Sequence, residues 1–513
     1  MPKPATKTCS RCKLKKSQRS FPKRAWSADG RGSTCNRCKS GKPPLELVGP
    51  KFLRPIKKAK YYLITAAQNS TDVHGDFFET LEVAAKHLGA ELVVIPLRYR
   101  NPTSIWTDKQ RGAEKWDAEL LPYLYDGRKK LNPNLVLVAD VKVQPTATSP
   151  LSGFEGMTGA ESCIIGHTKM QLKAVAVPSG RFPKILSTTG VCTRRNYTDS
   201  RAGAVGAFHH FLGAVLVEID GKTFHLRQIN ANRRDGSFID LDKHYSVNGV
   251  KAAPPAQALI LGDIHRRVMD PQVDKATFGE NGIVSVLKPK RLIAHDINDG
   301  IAVNPHETEN PFVAVAKDRG NCLDVRAELE QTAKFINDRK QDREVVVVDS
   351  NHNNFLARWV IATDWRKDPR NASFYLETAK AMVDSAKMTG HGPEYNDPFQ
   401  YWMAQFCPGV RFLGPNDSYI VAGTECGLHG NRGPNGARGS LKNLSNLGSK
   451  VISGHSHTPG IEGGHYQVGT SSYRRLNYNL GPSSWLSTHA IIYANGKRAL
   501  ITIIDGAWRR RRK

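Results

Sequence analysis

Carboxylates and histidines occur in short groups along the second half of the chain, each directly after an apolar run. The first group is Asp263 and His265, which follow Ala258–Leu261. Because side chains alternate along an extended chain, two residues that are two positions apart lie on the same side. Carboxylate and imidazole suit Mn2+, Fe or Zn2+ better than Ca2+. The pair therefore indicates metal binding, although Asp-x-His alone is a weak signal.

Four further groups follow in order. The apolar run Arg291–Ala294 ends in His295-Asp296, and a carboxylate at a neighbouring strand end can bridge two cations. The run Val345–Val348 predicts a strand buried on both faces and leads into Asp349–Asn353. The last two groups are Leu428-His429-Gly430, after Tyr419–Ala422, and Gly454-His455-Ser456-His457, after Lys450–Ile452. Five predicted strand ends thus carry residues that can bind metal.

This ordered set resembles the calcineurin-like metallophosphoesterases of the nuclease type, from about Ala256 to Trp508. The most specific elements are Gly262-Asp263-Ile264-His265, Asn351-His352 and the Gly-His-Ser-His at the last strand end. The resemblance implies an α/β fold, a four-layer β-sandwich flanked by helices. It also implies hydrolysis of phosphate esters with two divalent cations, with Mn2+ expected before Fe or Zn2+.

The resemblance also implies a role for each matching residue. It implies ligands for two metal ions: Asp263, His265 and His457 for one, Asn351, His429 and His455 for the other, and Asp296 bridging both. His352 would stay outside the metal shell and stabilise the phosphoryl transition state or protonate the leaving oxygen. Two adjacent cations can generate hydroxide and neutralise the charge that develops in the reaction.

Three positions depart from the family pattern. His295 and Ser350 stand where the family has glycine, and Asn353 stands where an acid normally follows the motif histidine. The last departure matters most, because an acid would hold and charge His352, whereas an amide raises its pKa less.

Two assignments have rivals within the sequence. Asp299 competes with Asp296 for the bridging position, and His391 competes with His429 for the single histidine. A glycine-rich stretch after His429 contains Arg432 and Arg438, which we expect to contact phosphate; the alternative is a flexible loop without contact.

The elements that position these groups are strands and helices of an α/β domain. A candidate helix carries Val325, Leu329, Ala333 and Ile336 on one face. A terminal hairpin is predicted over His489–Ala494 and Lys497–Ile504, with its turn at Asn495-Gly496. Beyond it, Trp508 could stack on a base while Arg509 and Arg510 grip phosphates, although such tails are more often solvated.

The middle of the chain predicts a second α/β domain. Tyr61–Thr65, a helix over Phe77–Leu88 and Leu92–Ile95 form a strand, helix, strand pattern that is typical of parallel strands. Further strands are predicted at Leu135–Val138, Ala174–Val177, Ala214–Ile219 and Phe224–Gln228, the last two joined at Asp220-Gly221.

Two polar features of this domain have no assigned role. Asp72, His74 and Asp76 favour a cap or a surface loop over a second catalytic centre. The scattered arginines suit a surface that guides substrate or supports assembly: Arg194, Arg195, Arg233 and Arg234.

The N-terminus carries a different cysteine motif. Two Cys-x-x-Cys pairs, formed by Cys9, Cys12, Cys35 and Cys38, predict one structural Zn2+ that replaces a core too small to form alone. The module resembles the short zinc modules of bacteriophage nucleases. Its many cations and single acid, Asp29, favour DNA docking, with a protein-contact module as the alternative.

Composition narrows the partner. The formal net charge is +27, with 74 Lys and Arg against 47 Asp and Glu, which favours a polyanion such as DNA. The sequence contains no apolar run long enough for a membrane helix and no signal peptide, so we expect a cytoplasmic protein, in the host cytoplasm if it is viral. Assembly into a homo-oligomer is left open.

The sequence therefore predicts five segments: a zinc module over 1–45, a linker over 46–58, an α/β domain over 59–250, a metallophosphoesterase domain over 255–507 and a basic tail over 508–513. The expected function is a metal-dependent DNase. The zinc module and the metal motifs together resemble early host-takeover proteins of T5-like bacteriophages, which implies host DNA breakdown. The alternatives are a protein or phosphomonoester phosphatase and a nucleic-acid-binding scaffold with an inactive metal centre.

Overall fold

The computed structural model describes residues 6–8, 15–17, 21, 54–69, 71–97, 116–141, 143–307 and 309–510. The chain divides into two compact units. Unit 1 comprises Met1–Pro254, Lys497–Ala499 and Arg509–Lys513, and unit 2 comprises Pro255–Gly496 and Leu500–Trp508. The fold is mixed α/β, as predicted. Within the described ranges, none of the helices combines the length and the apolar character that a membrane crossing requires.

Unit 1 is mostly β-structure. Its strands are β1 (Thr6–Thr8), β2 (Lys15–Ser17), β3 (Tyr61–Gln68), β4 (Glu91–Leu97), β5 (Arg128–Asn132), β6 (Leu135–Val138), β7 (Ser162–Ile165), β8 (Gln171–Val175), β9 (Lys184–Thr188), β10 (Gly213–Asp220), β11 (Thr223–Asn230), β12 (Phe238–Asp240), β13 (Lys243–Ser246) and β14 (Gly249–Ala252). Its helices are α1 (Gly75–Leu88), α2 (Phe154–Met157) and α3 (Arg201–His209), with a 3-10 helix at Ala118–Tyr123.

The predicted strand, helix, strand unit is confirmed. β3 and β4 are parallel, and α1 connects them. A four-stranded sheet runs in the order β11-β10-β3-β4, and the predicted hairpin joins β10 to β11 in antiparallel register. The strands β8, β9, β7, β6 and β5 are hydrogen-bonded in that order, and β12-β13-β14 form a separate sheet. Apolar residues of α1 and of the four-stranded sheet form one core, in which Phe77, Leu81, Leu63 and Leu216 are buried.

Unit 2 alternates strands and helices. Its strands are β15 (Ala258–Ile260), β16 (Arg291–Ala294), β17 (Glu344–Val347), β18 (Lys387–Thr389), β19 (Gly392–Glu394), β20 (Arg411–Phe412), β21 (Ile420–Val421), β22 (Thr424–Glu425), β23 (Lys450–Ser453), β24 (Gly460–Glu462), β25 (His465–Gln467), β26 (Thr488–Ile492) and β27 (Arg498–Thr502). Its helices are α4 (Pro271–Phe278), α5 (Ile283–Leu287), α6 (Pro311–Arg319), α7 (Val325–Lys340), α8 (Phe355–Ala362), α9 (Ala372–Ser385), α10 (Pro398–Phe406) and α11 (Leu441–Leu444). Short 3-10 helices lie at Arg266–Val268, Ile301–Val303, Trp365–Lys367 and Pro434–Gly436.

Two groups of strands position the metal-binding motifs. A six-stranded sheet has the order β20-β17-β16-β15-β26-β27, in which β15, β16, β17 and β20 are parallel. The strands β21, β22, β23, β25 and β24 are hydrogen-bonded in a second run. Parallel neighbours end at the same sheet edge, so the motifs that follow β15, β16 and β17 are brought together.

The predicted helix is α7, and its four predicted apolar residues are all buried. It begins after Asp324, whose carboxylate accepts a hydrogen bond from the Ala327 amide at 2.9 Å. The predicted terminal hairpin is also confirmed as β26 and β27. Gly496 in its turn has φ 72°, which a glycine adopts at little cost.

Candidate metal centre

Four residues from three strand ends form the first donor group: Asp263, His265, Asp296 and His457. One ligand atom of each lies within 4.8 Å of the others. His457 Nε2 is 3.0 Å from His265 Nε2 and 3.1 Å from Asp263 Oδ2, and His265 Nε2 is 3.8 Å from Asp296 Oδ2. All four are buried, which excludes an ordinary solvated cluster.

The second donor group consists of Asp296, His429 and His455. His429 Nε2 lies 3.1 Å from Asp296 Oδ2, and the rings of the two histidines are 5.2 Å apart. Asp296 belongs to both groups, so its carboxylate is shared between them.

Several buried polar atoms of the cluster lack a hydrogen-bond partner among the described residues. These atoms are Asp263 Oδ1, Asp296 Oδ1, Asn351 Oδ1 and His457 Nδ1. Leaving buried polar atoms unpaired costs about 1–3 kcal/mol each, unless a ligand satisfies them. The orphaned atoms are oxygens and imidazole nitrogens, a donor set that fits a transition-metal cation.

Charge interactions within the cluster are strong. Burial raises the pKa of Asp296, but His429, His352 and His265 outweigh it and hold that pKa well below its usual value. Burial lowers the pKa of His265, yet Asp299 and Asp296 raise it to about 9. Protons here neutralise carboxylates that a bound cation would neutralise instead, so metal binding is expected to release protons.

The backbone around the cluster is unusual. His265, Asp296, His455 and His457 have φ values of 42°, 41°, 74° and 58°, in the left-handed region that non-glycine residues rarely adopt. Such strain concentrates at functional sites, where the surrounding structure holds it in place.

A glycine makes room for the cluster. A Cβ on Gly454 would lie 2.2 Å from Asp263 Oδ1 and 3.2 Å from His295 Cγ. The glycine of the Gly-His-x-His motif is therefore required by close approach of the strand end to Asp263.

His352 lies beside the first group but is not one of its members. Its ring is 4.6 Å from the His265 ring, and its Nδ1 lies 2.8 Å from the carbonyl oxygen of Asp299. Because a carbonyl only accepts, Nδ1 carries a proton and donates, which leaves Nε2 unprotonated in the neutral ring. Burial, opposed by Asp296, lowers the pKa of His352.

The structure separates the rival assignments. Asp299 belongs to neither donor group of the described residues: its Oδ1 is 3.4 Å from His265 Nδ1, and its Oδ2 accepts from the Arg267 amide at 2.6 Å. Asp299 thus contacts His265 from outside both groups. His391 is exposed in the turn between β18 and β19 and belongs to neither group of the described residues.

The departures from the family pattern also have structural consequences. Asn353 is buried and its Nδ2 donates to the Val348 carbonyl at 3.3 Å, so it does not hold His352. The Asp299 carbonyl holds that ring instead. His295 is buried with its Nδ1 3.4 Å from His429 Nδ1, and burial and the charge of His429 lower its pKa to about 4.

The predicted phosphate-contacting residues have different surroundings. Arg432 Nη1 forms an ion pair with Asp349 at 2.7 Å and is 46% exposed. Arg438 is exposed. Burial and then the charge of His429 lower the pKa of His455 to about 4, and the charge of Arg438 adds to this effect, so Arg438 lies close to the second donor group.

The tail predictions need one correction. Trp508 is 5% exposed, so its ring is packed rather than free to stack on a base. The Arg510 amide donates to Glu218 Oε2 at 2.6 Å, which ties this part of the tail to unit 1, and Arg509 is partly buried. The four zinc-motif cysteines, Cys9, Cys12, Cys35 and Cys38, lie outside the described residues.

The prediction that His74 serves as a cap is confirmed. Its Nδ1 accepts from the Phe77 amide at 3.3 Å at the start of α1, and its Nε2 faces the Arg233 carbonyl at 3.0 Å. Its two neighbouring acids, Asp72 and Asp76, belong to no donor group of the described chain.

Sequence reasoning missed three residues near the centre. The Trp485 ring lies 4.0 Å from the His457 ring, and the Tyr478 ring, 62% exposed, lies 5.7 Å from Trp485. His489 is fully buried, with Nδ1 accepting from the Gly262 amide at 2.9 Å and Nε2 2.8 Å from Thr277 Oγ1. It holds the backbone just before Asp263. A tryptophan and a tyrosine in an otherwise polar loop are a sequence signal that could have indicated the aromatic pair. His489 gives no such signal, because it lies within an ordinary strand pattern.

Comparison with known proteins gives one relative. The chain is 32% identical to Protein A1 of Escherichia phage T5 over 473 residues, which cover 88% of this chain and 83% of that protein. No family model matches the chain, and no solved structure matches it.

Proposed function

We propose that this chain, which belongs to the family of Protein A1 of Escherichia phage T5, is a phosphodiesterase that hydrolyses DNA with two divalent cations. The observation that carries the proposal is the pair of buried donor groups that share Asp296. We further propose the four-layer metallophosphoesterase sandwich for unit 2, on the strength of the ordered strand-end motifs.

The proposed ligands divide between two positions. Asp263, His265 and His457 would hold one ion, His429, His455 and the unpaired Asn351 oxygen would hold the other, and Asp296 would bridge. Bound divalent cations, with Mn2+ expected, supply Lewis acidity and lower the pKa of water.

The chain's own residues supply the rest of the chemistry. Hydrolysis breaks one P–O bond, adds water to phosphorus and returns a proton to the leaving oxygen. His352 is fixed by the Asp299 carbonyl at Nδ1, so the free Nε2 can take a proton from the attacking water and return it to the leaving oxygen. Asp299 orients His265 in the same way that an outer carboxylate orients a metal-bound imidazole.

Several observations support DNA as the proposed substrate. The net charge of +27 favours a polyanion, and Arg432 and Arg438 lie beside the donor groups. The exposed Tyr478 ring and its neighbour Trp485 offer aromatic surface next to His457, which suits a base better than a phosphoserine. Membership of a phage protein family fits host DNA breakdown as the biological role.

The test is a gel assay of the full chain with Mn2+ on linear and closed circular DNA, beside a chromogenic phosphomonoester. We expect DNA loss with the native chain and at least about hundredfold less with Asp263→Asn or His352→Gln. His391→Gln is the matched control, since this histidine lies outside both groups, and it should retain activity.

Other outcomes would replace the proposal. Cleavage of the monoester without DNA loss would establish a phosphatase. Tight DNA binding with neither activity, unchanged in Asp263→Asn, would establish a scaffold with an inactive centre. Cutting of the closed circle would separate internal cleavage from end-dependent cleavage.

A further inference from the structure

A second polar cluster lies in unit 1, at the carboxyl end of β3. Gln68 ends this strand and is 1% exposed, yet its amide nitrogen and oxygen form no hydrogen bond with any described residue. An unpaired buried amide costs about 1–3 kcal/mol, so a polar ligand is expected to satisfy it. The carboxyl end of parallel strands, here β3 and β4, is where open α/β sheets bind ligands.

Two arginines, one after β9 and one after β11, have no carboxylate partner among the described residues. Within the described ranges, no ion pair joins Arg195 or Arg233 to an acid, and both side chains are exposed. Arg233 Nη2 donates to the His210 carbonyl at 2.7 Å, which fixes its position. Burial and then the charge of Arg195 lower the pKa of Arg233, so the two guanidinium groups lie close enough to repel each other.

Hydrogen bonds through Thr193 and His210 connect Arg233 to the end of β3 at Gln68. His210 Nε2 faces the Thr193 carbonyl at 3.0 Å and therefore carries a proton, so its Nδ1 accepts from the Tyr197 hydroxyl at 3.1 Å. The Gln68 backbone amide donates to Thr193 Oγ1 at 3.3 Å, so the end of β3, Thr193 and His210 belong to one hydrogen-bonded network.

The charges that act most strongly on His210 are positive. Burial first, and then Arg195, Arg233 and His74, lower the pKa of His210 to about 3. The ring is therefore neutral, and the remaining charge of the cluster is positive. Such a cluster repels metal cations and attracts anions.

We propose that Gln68, Arg195 and Arg233 form a phosphate-binding site in unit 1, separate from the metal centre of unit 2. Arginine binds phosphate through paired charge-assisted hydrogen bonds, and the Gln68 amide adds a neutral donor. The ligand is a phosphate group, carried by inorganic phosphate, a nucleotide or a nucleic-acid backbone. The site does not depend on the proposed hydrolytic function.

The test is calorimetric titration of the full chain, without added metal, with inorganic phosphate, a deoxynucleoside monophosphate and a short single-stranded oligonucleotide. Arg195→Ala and Arg233→Ala should each weaken binding by about tenfold, the value of one charge-assisted hydrogen bond. Gln68→Glu should weaken it further, because it places a buried negative charge beside the ligand. The same losses are expected in the Asp263→Asn background, which lacks a proposed ligand of the metal centre in unit 2.

The matched control is Arg181→Ala, which removes the same charge from an exposed position before β9, whereas Arg195 follows that strand. Equal affinity in the native chain and both arginine variants, or an equal loss in the control, would overturn the proposal. Binding of phosphate and mononucleotide alone would identify a small-ligand site. Tighter binding of the oligonucleotide, weakened by salt, would identify a backbone site.

Discussion

Asp296 and Asp299 are only three positions apart in one loop, yet their side chains have different surroundings. The carboxylate of Asp296 contributes to both donor groups, whereas Asp299 holds His265 through its side chain and His352 through its carbonyl. The Asp299 carbonyl contacts His352 where the resemblance to metallophosphoesterases implied an acid after the motif histidine. A carbonyl fixes the ring tautomer without adding negative charge, so the ring is oriented but not strongly charged.

We predict that Asp299→Asn weakens Mn2+ binding by about 10–100-fold, the usual cost of losing an outer partner of a metal-bound histidine. The substitution keeps the carbonyl that holds His352 and removes only the charge beside His265. Calorimetric titration with Mn2+ measures the change in affinity, and Asp263→Asn gives the reference for a chain that has lost a proposed ligand. Asp270→Asn is the control, because asparagine also caps α4. Native affinity in Asp299→Asn would refute its positioning role.

The turn after β23 is the element on which the centre's geometry most depends. It delivers His455 and His457 with left-handed backbone angles, and Gly454 allows it to approach Asp263. The Gly454 amide donates to the His429 carbonyl at 2.7 Å, which joins this turn to the preceding ligand loop.

We predict that Gly454→Ala abolishes Mn2+-induced stabilisation, because its Cβ would displace Asp263 Oδ1 from only 2.2 Å. Gly464→Ala is the matched control, since its nearest neighbour would be the Ser449 carbonyl oxygen at 3.4 Å, an ordinary contact. The readout is the shift in melting temperature on adding Mn2+. A native shift in Gly454→Ala would show that the centre tolerates displacement of Asp263.

At the scale of the whole molecule, a chain with a large positive charge still buries ion pairs. In unit 1, Arg227 is 2% exposed and binds Asp240 at 2.7 Å and Glu218 at 2.5 Å. Glu218 also accepts the Arg510 amide, so the network ties the chain end to β10 and β11. Burial raises the pKa of Glu218, but Arg227 outweighs it and lowers the net value.

We predict that Arg227→Met destabilises unit 1 by about 3–5 kcal/mol, because two buried carboxylates lose their partner. In the native chain the lowered pKa of Glu218 contributes stability above its unfolded value of 4.5, and this is lost as the pH falls through the folded value. In the variant the sign reverses, since unpaired buried carboxylates bind protons more readily when folded.

Hydrogen exchange of peptides covering β11 at pH 4 and pH 7 measures this change within unit 1. Arg234→Met, at an exposed position, is the control and should exchange as the native chain does. A variant that loses protection on acidification as the native chain does would contradict the role of Arg227.

Much of the architecture could be predicted from local patterns. The buried runs at β3, β4 and β17, the amphipathic α7 and the two hairpins are set by neighbours within a few residues, so periodicity and turn residues reveal them. The helices α8, α9 and α10 were not predicted, because their apolar residues are mixed with exposed ones such as Ile361 and Val383. Strand order was also beyond prediction, since it depends on pairing between distant segments.

The sequence by itself determined which residue types are available for metal chemistry and that each follows a strand, because ligand chemistry and strand ends are local properties of the chain. Only the tertiary structure decided that Asp296 joins both donor groups, that Asp299 orients His265 and His352, and that Trp508 is packed. These outcomes depend on distances between segments far apart in sequence. A difference of a few ångströms in such a distance decides whether a residue joins a donor group or only contacts one of its members. No local sequence pattern encodes that difference.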